Sequence, residues 1–369
     1  MTSYERMHLA MRRQKADRVP VMCQLSQEYM EWNSGIPPFD MYYTAPGYAE
    51  AFCRLRRDYA FDGILLNVCV SDDWEEQCRH VERTPLADGA EQFRFPDGAV
   101  YEQRKNRWIC TKRPPEEPHP EIDEIDVDAL EIKTDFSRDM ALHKLVVEAG
   151  KKEKFSVHGE IDAPMNALCI LLGLENAMMA LLLDPQKCHR IFERYIPYYF
   201  AHAKAQIDVG VDAMKISSPF VGSSFISRPF YEEFVVPYEK ELTSRIHAYC
   251  PGIPVYTHTC GFIGDRLELM RDTGIDGIEC MDPAPLGDVE LANAKRRVGS
   301  DLFLKGNMDS VNVLLQATDE ELDAYVRQMI ADGGKDGGYI LSSACSVAPG
   351  VRPEILRQLT PLAEKYGRY

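Results

Sequence analysis

Eight short apolar runs punctuate the chain, each bounded by Gly, Pro or Asp. They are "RVPVMCQ" (18–24), "FDGILLNVCV" (61–70), "KFSVHGE" (154–160), "VDAMKISS" (211–218), "IPVYTHTC" (253–260), "IDGIECMD" (275–282), "DLFLKGN" (301–307) and "GGYILSSAC" (337–345). Such runs read as buried strands. From the third onward, amphipathic helical stretches alternate with them. Between 184 and 208, Asp184 is a natural N-cap and Pro185 suits the first helical position. Cys188, Ile191, Phe192, Tyr195, Tyr199 and Ala203 follow at helical spacing, and Pro197 is expected to kink the helix. Strands alternating with helices predict the α/β class, a single (β/α)8 barrel domain over residues 1–369.

One segment breaks the rhythm. Between 90 and 133 polar and apolar residues alternate around Asp97-Gly98, a hairpin-turn signal, and then run into a stretch rich in Pro and acid. This predicts a β-ribbon inserted after the second strand, within 72–135, lying over one end of the barrel.

Composition narrows the function classes. A formal net charge of −16 argues against a nucleic-acid or anionic-membrane surface, because both need clustered Lys and Arg. The N-terminal "MTSYERMHLAMRRQKADRVPV" has no apolar core of a signal peptide, so a cytoplasmic protein is expected. The most apolar stretch, 166–183, is interrupted by Gly173, Glu175 and Asn176 and reads as a loop and a buried helix. Eleven cysteines, an odd number scattered through 369 residues, do not make a disulfide framework. Most are expected to be small buried hydrophobes.

Three donors stand apart from that background. His258 and Cys260, in "VYTHTCG", form the only H-x-C of the chain and point the same way if the run is a strand. Cys345 ends the eighth run, too far downstream for a zinc-finger loop but across the mouth of a closed barrel. Residues just past barrel strand ends face the active site. Three soft ligands there, with a fourth position open, predict a catalytic Zn2+ site. Glu160 ends the third run, as a hydrogen-bond partner for substrate, a proton donor to the leaving oxygen, or a partner for a metal-bound His. Glu279 ends the sixth run and is the best candidate for a labile fourth ligand. Asp72 and Asp73 follow the second run, either lining the pocket or forming an exposed acidic loop.

These residues sit within a larger resemblance. "ERMHLAMRRQKADRVPV", "GVDAMKISSPFVGSSFISRPFYEEFVVPYEKEL", "IPVYTHTCG", "RRVGSDLFLKGNMDS" and "GGYILSSACSVAPGVRPEIL" resemble the successive signatures of the uroporphyrinogen decarboxylase superfamily. That superfamily implies a (β/α)8 barrel and two classes: metal-free decarboxylases, and zinc methyltransferases that act with corrinoid proteins and carry H-x-C and a distant Cys. His258, Cys260 and Cys345 match the second class. The resemblance also gives Ser217, Asp282 and Asn307 as pocket positions, although Asn307 is equally a helix cap. The decarboxylases carry an M-R-Q-A-G-R-Y type segment whose arginines hold the carboxylates of the porphyrinogen. Here "MCQLSQEYMEW" stands in its place, and no Lys or Arg occurs from Val19 to Cys53. Their Asp after the fourth strand is replaced by Ser218. A polycarboxylate needs cationic partners, so decarboxylation is disfavoured.

Two methyl chemistries follow from the resemblance. In an O-demethylase the metal assists departure of an alkoxide or phenolate while the cob(I)amide of a partner protein takes the methyl group. In a thiol methyltransferase of the coenzyme M type it presents a thiolate to a methylated corrinoid. The "FPDGAVYE" turn, with Phe95, Tyr101 and Trp108 as a stacking surface, favours an aromatic methyl ether. No D-x-H-x-x-G segment occurs, so the corrinoid is expected on a separate protein; a homodimer is left open. A non-catalytic tetrapyrrole-binding barrel and a structural zinc protein are the alternatives of another class.

Overall fold

The computed structural model of the chain describes all residues except 72–75, 77, 106 and 115–117, and the side chain of residue 88. Seven of the eight apolar runs contain strands of one parallel sheet. In order these are β1 (Gly63–Leu66), β6 (Ser156–Asp162), β7 (Ala213–Ser217), β8 (Val255–Thr259), β9 (Gly277–Cys280), β10 (Phe303–Met308) and β11 (Tyr339–Ser343). Each pairs with the next in sequence order, so the sheet curls continuously. Helices fill the crossovers, as a parallel sheet requires.

The first run differs from expectation. Residues 18–24 form no regular strand; Val21 makes a single parallel bridge to Leu341 and Leu25 another to Val347. On its other side the Val21 carbonyl accepts from Asp62 N at 2.8 Å. Pro20 explains part of this, because it removes a ladder donor.

The expected ribbon is a four-stranded antiparallel sheet, β2 (Glu82–Pro85), β3 (Glu91–Arg94), β4 (Val100–Arg104) and β5 (Arg107–Lys112). Gly98 takes φ +88° in the turn between β3 and β4, which Asp97 braces by accepting from Ala99 N at 2.9 Å. This sheet rests on the helices Gln27–Asn33 and Pro38–Tyr43. Glu31 ties it down, accepting from Trp108 N at 2.9 Å and from the Tyr42 hydroxyl at 2.8 Å.

Asp184 caps the next helix as expected, accepting from Lys187 N at 2.9 Å, but the helix runs from Pro185 to Val209 through Pro197. The apolar stretch before it is one helix, Pro164–Leu183, with a break at Gly173, where φ is +72°. By length and composition this helix could cross a membrane; half of its residues are buried.

Candidate metal centre

β8 and β9 run in register with His258 beside Glu279 and Thr259 beside Cys280. The alternation of strand side chains therefore sends His258 and Glu279 into the same interior layer. His258 Nδ1 lies 3.1 Å from Glu279 Oε2, and both side chains are buried. Burial works against the Glu279 charge, but Lys305 and Lys215 outweigh it and hold the carboxyl well below its usual range. Lys305 bonds one oxygen directly and Lys215 lies 3.4 Å from the other. An ionised carboxylate only accepts, so the His258 Nδ1 must carry the proton and donate it. That leaves Nε2, on the far side of the ring, as the nitrogen that can serve a metal.

Nε2 faces sulfur. Cys260 Sγ is 3.2 Å from it, and Cys345 Sγ is 3.6 Å from Cys260 Sγ. Strand ends opposite each other in the curled sheet thus bring together the three donors expected from sequence. Cys280 was not expected beside them. The ligand atoms of His258, Cys260 and Cys280 lie within 4.8 Å of one another. Donors sharing one zinc at bonds of about 2.0–2.3 Å stand roughly 3.5–3.8 Å apart. The two measured spacings, 3.2 and 3.6 Å, are close to that, and one imidazole with thiols suits zinc.

The remaining expected residues fall into two groups. Asp282 belongs to the site: its Oδ2 accepts from Gly261 N at 2.7 Å and from the Cys280 thiol at 3.3 Å. Burial raises its pKa, against the pull of those two bonds. Ser217 is aligned with His258 on the adjacent strand. Glu160 instead lies 3.0 Å from Lys215, and Gln206 clamps its backbone from both sides, with bonds of 3.0 and 2.7 Å. It is the counter-charge of a lysine. Glu279, expected as a labile ligand, sits behind the imidazole, 3.1 Å from His258 Nδ1, and not among the sulfurs. The buried amide of Asn307 donates to Met281 O at 3.0 Å and Val289 O at 3.1 Å. Asp72 and Asp73 lie outside the described residues.

Sequence reading also missed the two interior lysines. Lys215 and Lys305 are completely buried and balance Glu160 and Glu279 charge for charge. A Lys in the middle of an apolar strand run, as in "VDAMKISS" and "DLFLKGN", is the signal that was available. The aromatic surface, in turn, is used internally. Tyr101 stacks on Trp108 at 5.0 Å, while Trp108 packs at a tilt against Phe93 at 4.9 Å and Phe95 against Tyr43 at 4.9 Å.

Comparison with known proteins agrees with this fold. The family model for uroporphyrinogen decarboxylase (URO-D) matches residues 108–366. A methylated-thiol–coenzyme M methyltransferase from Methanosarcina mazei is 27% identical over 197 residues, 53% of this chain and 50% of that protein. A uroporphyrinogen decarboxylase from Pseudomonas fluorescens is 30% identical over 178 residues, 47% of each chain. These matches span about half the length of the curated relatives. A solved structure, a methyltransferase from Methanosarcina mazei, superposes over 99% of both chains with a TM-score of 0.73 at 18% identity.

Proposed function

Since the chain belongs to the uroporphyrinogen decarboxylase family, its chemistry is of either the carboxyl or the methyl kind, and we propose the second. In this reading the protein is a zinc-dependent methyltransferase that exchanges a methyl group between a small substrate and the corrinoid of a separate partner protein. The cluster of His258, Cys260 and Cys345 is the observation that carries it. Residues 1–369 act as one domain, with 18–25 as the eighth member closing a (β/α)8 barrel and the 72–135 segment inserted after its second strand.

Decarboxylation is disfavoured by the interior charges. The two buried lysines already answer Glu160 and Glu279, and Val19–Cys53 supplies no cation for a polycarboxylate. Zinc held by His258, Cys260 and Cys345 would supply Lewis acidity, lowering the pKa of a substrate thiol or easing departure of an alkoxide. The chain's own part is orientation. Glu279 fixes the imidazole tautomer, Lys215 and Lys305 keep Glu279 ionised, and Asp282 holds the backbone of Gly261 beside Cys260.

A sulfur substrate now fits better than the aromatic ether expected from sequence. Phe95, Tyr101 and Trp108 are occupied with one another and with Phe93 and Tyr43, and a donor set rich in thiolate dampens Lewis acidity more than it hinders thiolate formation. The likeness to a methylated-thiol methyltransferase supports the same choice. The test is a zinc assay followed by methyl transfer between cobalamin and two panels, simple thiols and methoxyaromatics. Stoichiometric zinc with transfer to or from thiols is expected. Transfer from methoxyaromatics alone would restore the ether reading, and zinc without any transfer would end the methyltransferase reading.

A further inference from the structure

Cys280 is the last residue of β9, has no solvent exposure, and places its sulfur within 4.8 Å of the ligand atoms of His258 and Cys260. Its backbone is unusual. Cys280 has φ +78° and Met281 φ +55°, two successive side-chain-bearing residues in the left-handed region. The other such residues, Arg13, Ala60, Lys105, Lys154 and Asp336, follow helices or sit in turns. Strain of this kind persists where the surroundings impose it, and it gathers at ligand sites. Here β10 imposes it. Asn307 grips Met281 O at 3.0 Å, and a Cβ on Gly306 would stand 2.6 Å from Cys280 O.

A strand continuing straight past Glu279 would turn the next side chain outward, toward the helices. The left-handed bend keeps Cys280 in contact with the cluster instead. Its sulfur lies within 4.8 Å of the ligand atoms of His258 and Cys260 on one side and donates to Asp282 Oδ2, at 3.3 Å, on the other.

We propose that Cys280 is the resident fourth ligand of the zinc site, giving a resting donor set of one nitrogen and three sulfurs, and that an incoming substrate thiol replaces it. This rests on the zinc-binding reading above. The exchange balances without any further reagent. The S–H bond of the substrate breaks, its proton passes to the Cys280 thiolate, and the resulting Cys280 thiol donates to Asp282. Charge at the centre is unchanged and no proton is released to solvent. The fourth position is thus closed to water until substrate arrives. The competing arrangement is a buried thiol that packs beside a three-ligand site and never coordinates.

X-ray absorption at the zinc edge on the purified full chain, with zinc content measured on the same sample, separates these cases. One zinc per chain with three sulfurs and one nitrogen is expected. Addition of 2-mercaptoethanol should leave the count at three sulfurs in the wild type. In Cys280→Ser the count should be two, rising to three with the thiol. Zinc bound by only two sulfurs in the wild type overturns the proposal and leaves the zinc site standing; a chain without stoichiometric zinc overturns both. A rise from three sulfurs to four with added thiol overturns the exchange. The wild-type counts decide even if Cys280→Ser does not fold.

Discussion

Glu279 is enclosed by Lys305, Lys215 and the His258 ring, and each contact favours its ionised form. A glutamine there keeps the shape but presents an amide that accepts more weakly and leaves two buried lysines short of an anion. Partners behind metal-bound imidazoles are worth about 10–100-fold in metal affinity. Glu279→Gln is therefore expected to weaken zinc by that factor in a chelator competition at fixed pH, and an unchanged affinity would remove its orienting role. A second carboxyl, on the helix Val236–Tyr249, gives a pH signature. Burial pushes Glu239 up to about 7, against a weaker pull downward from Ser218. Its folded pKa is thus above its unfolded value of 4.5, so the unfolded chain releases the proton first as pH rises. Stability should fall between about pH 4.5 and pH 7 and level off above. Glu239→Gln is expected to coincide with the wild type below that window and to exceed it by up to about 3 kcal/mol above, read from urea unfolding across pH. Parallel curves at every pH would refute the assignment.

At the level of elements, what was legible depended on whether a local signal was enough. The strand runs were readable because buried parallel strands are short, apolar and bounded by turn residues, and Asp97-Gly98 marked its hairpin for the same local reason. The joining of His258, Cys260 and Cys345 followed from strand ends sharing one rim of the curled parallel sheet. Cys280 did not follow, because strand alternation points it away from Glu279 and nothing in "GIECMDP" announces a left-handed Cys-Met pair. The contact with β10 that imposes that pair is long-range. The aromatics of β3–β5 were visible but their destination was not. They were expected to meet a substrate, and they meet Phe39 and Tyr43 of a nearby helix instead. That cluster is the core of the antiparallel sheet, with Phe93 only 1% exposed. Phe93→Ala is expected to cost about 3–5 kcal/mol. Hydrogen exchange should quicken across residues 82–112 while β6 to β10 and the zinc content stay as they are. Exchange that quickens equally in β8 would mean that the sheet and the barrel unfold as one unit.

Across the whole molecule, one buried carboxylate links the elements that would otherwise leave the curled sheet open. Asp62 is fully buried just before β1 and accepts from Arg6 at 2.6 Å, Arg18 at 2.8 Å and Val21 N at 2.8 Å. Its backbone carbonyl takes Ser156 N, at 3.0 Å, at the start of β6. The helix Ser3–Met11, the 18–25 segment and the first two strands of the sheet are thus joined through a single residue. The 18–25 segment in turn reaches the far edge of the sheet and the interior. Cys23 accepts from Ser343 N at 3.3 Å, and Gln24 accepts from Lys215 Nζ at 2.9 Å. Truncating one partner of a buried ion cluster leaves charges without answer and typically costs about 3–5 kcal/mol. For Asp62→Ala the loss should appear as a shared event. Amides in 18–25 and in β11 lose exchange protection together, because the segment has only isolated bridges and no ladder of its own with which to hold the edge. Asp62→Asn, which retains an acceptor oxygen for Val21 N, should lose less. If protection disappears from residues 1–25 while β11 keeps its own, the segment is a separable strap, and the sheet holds its curl without it.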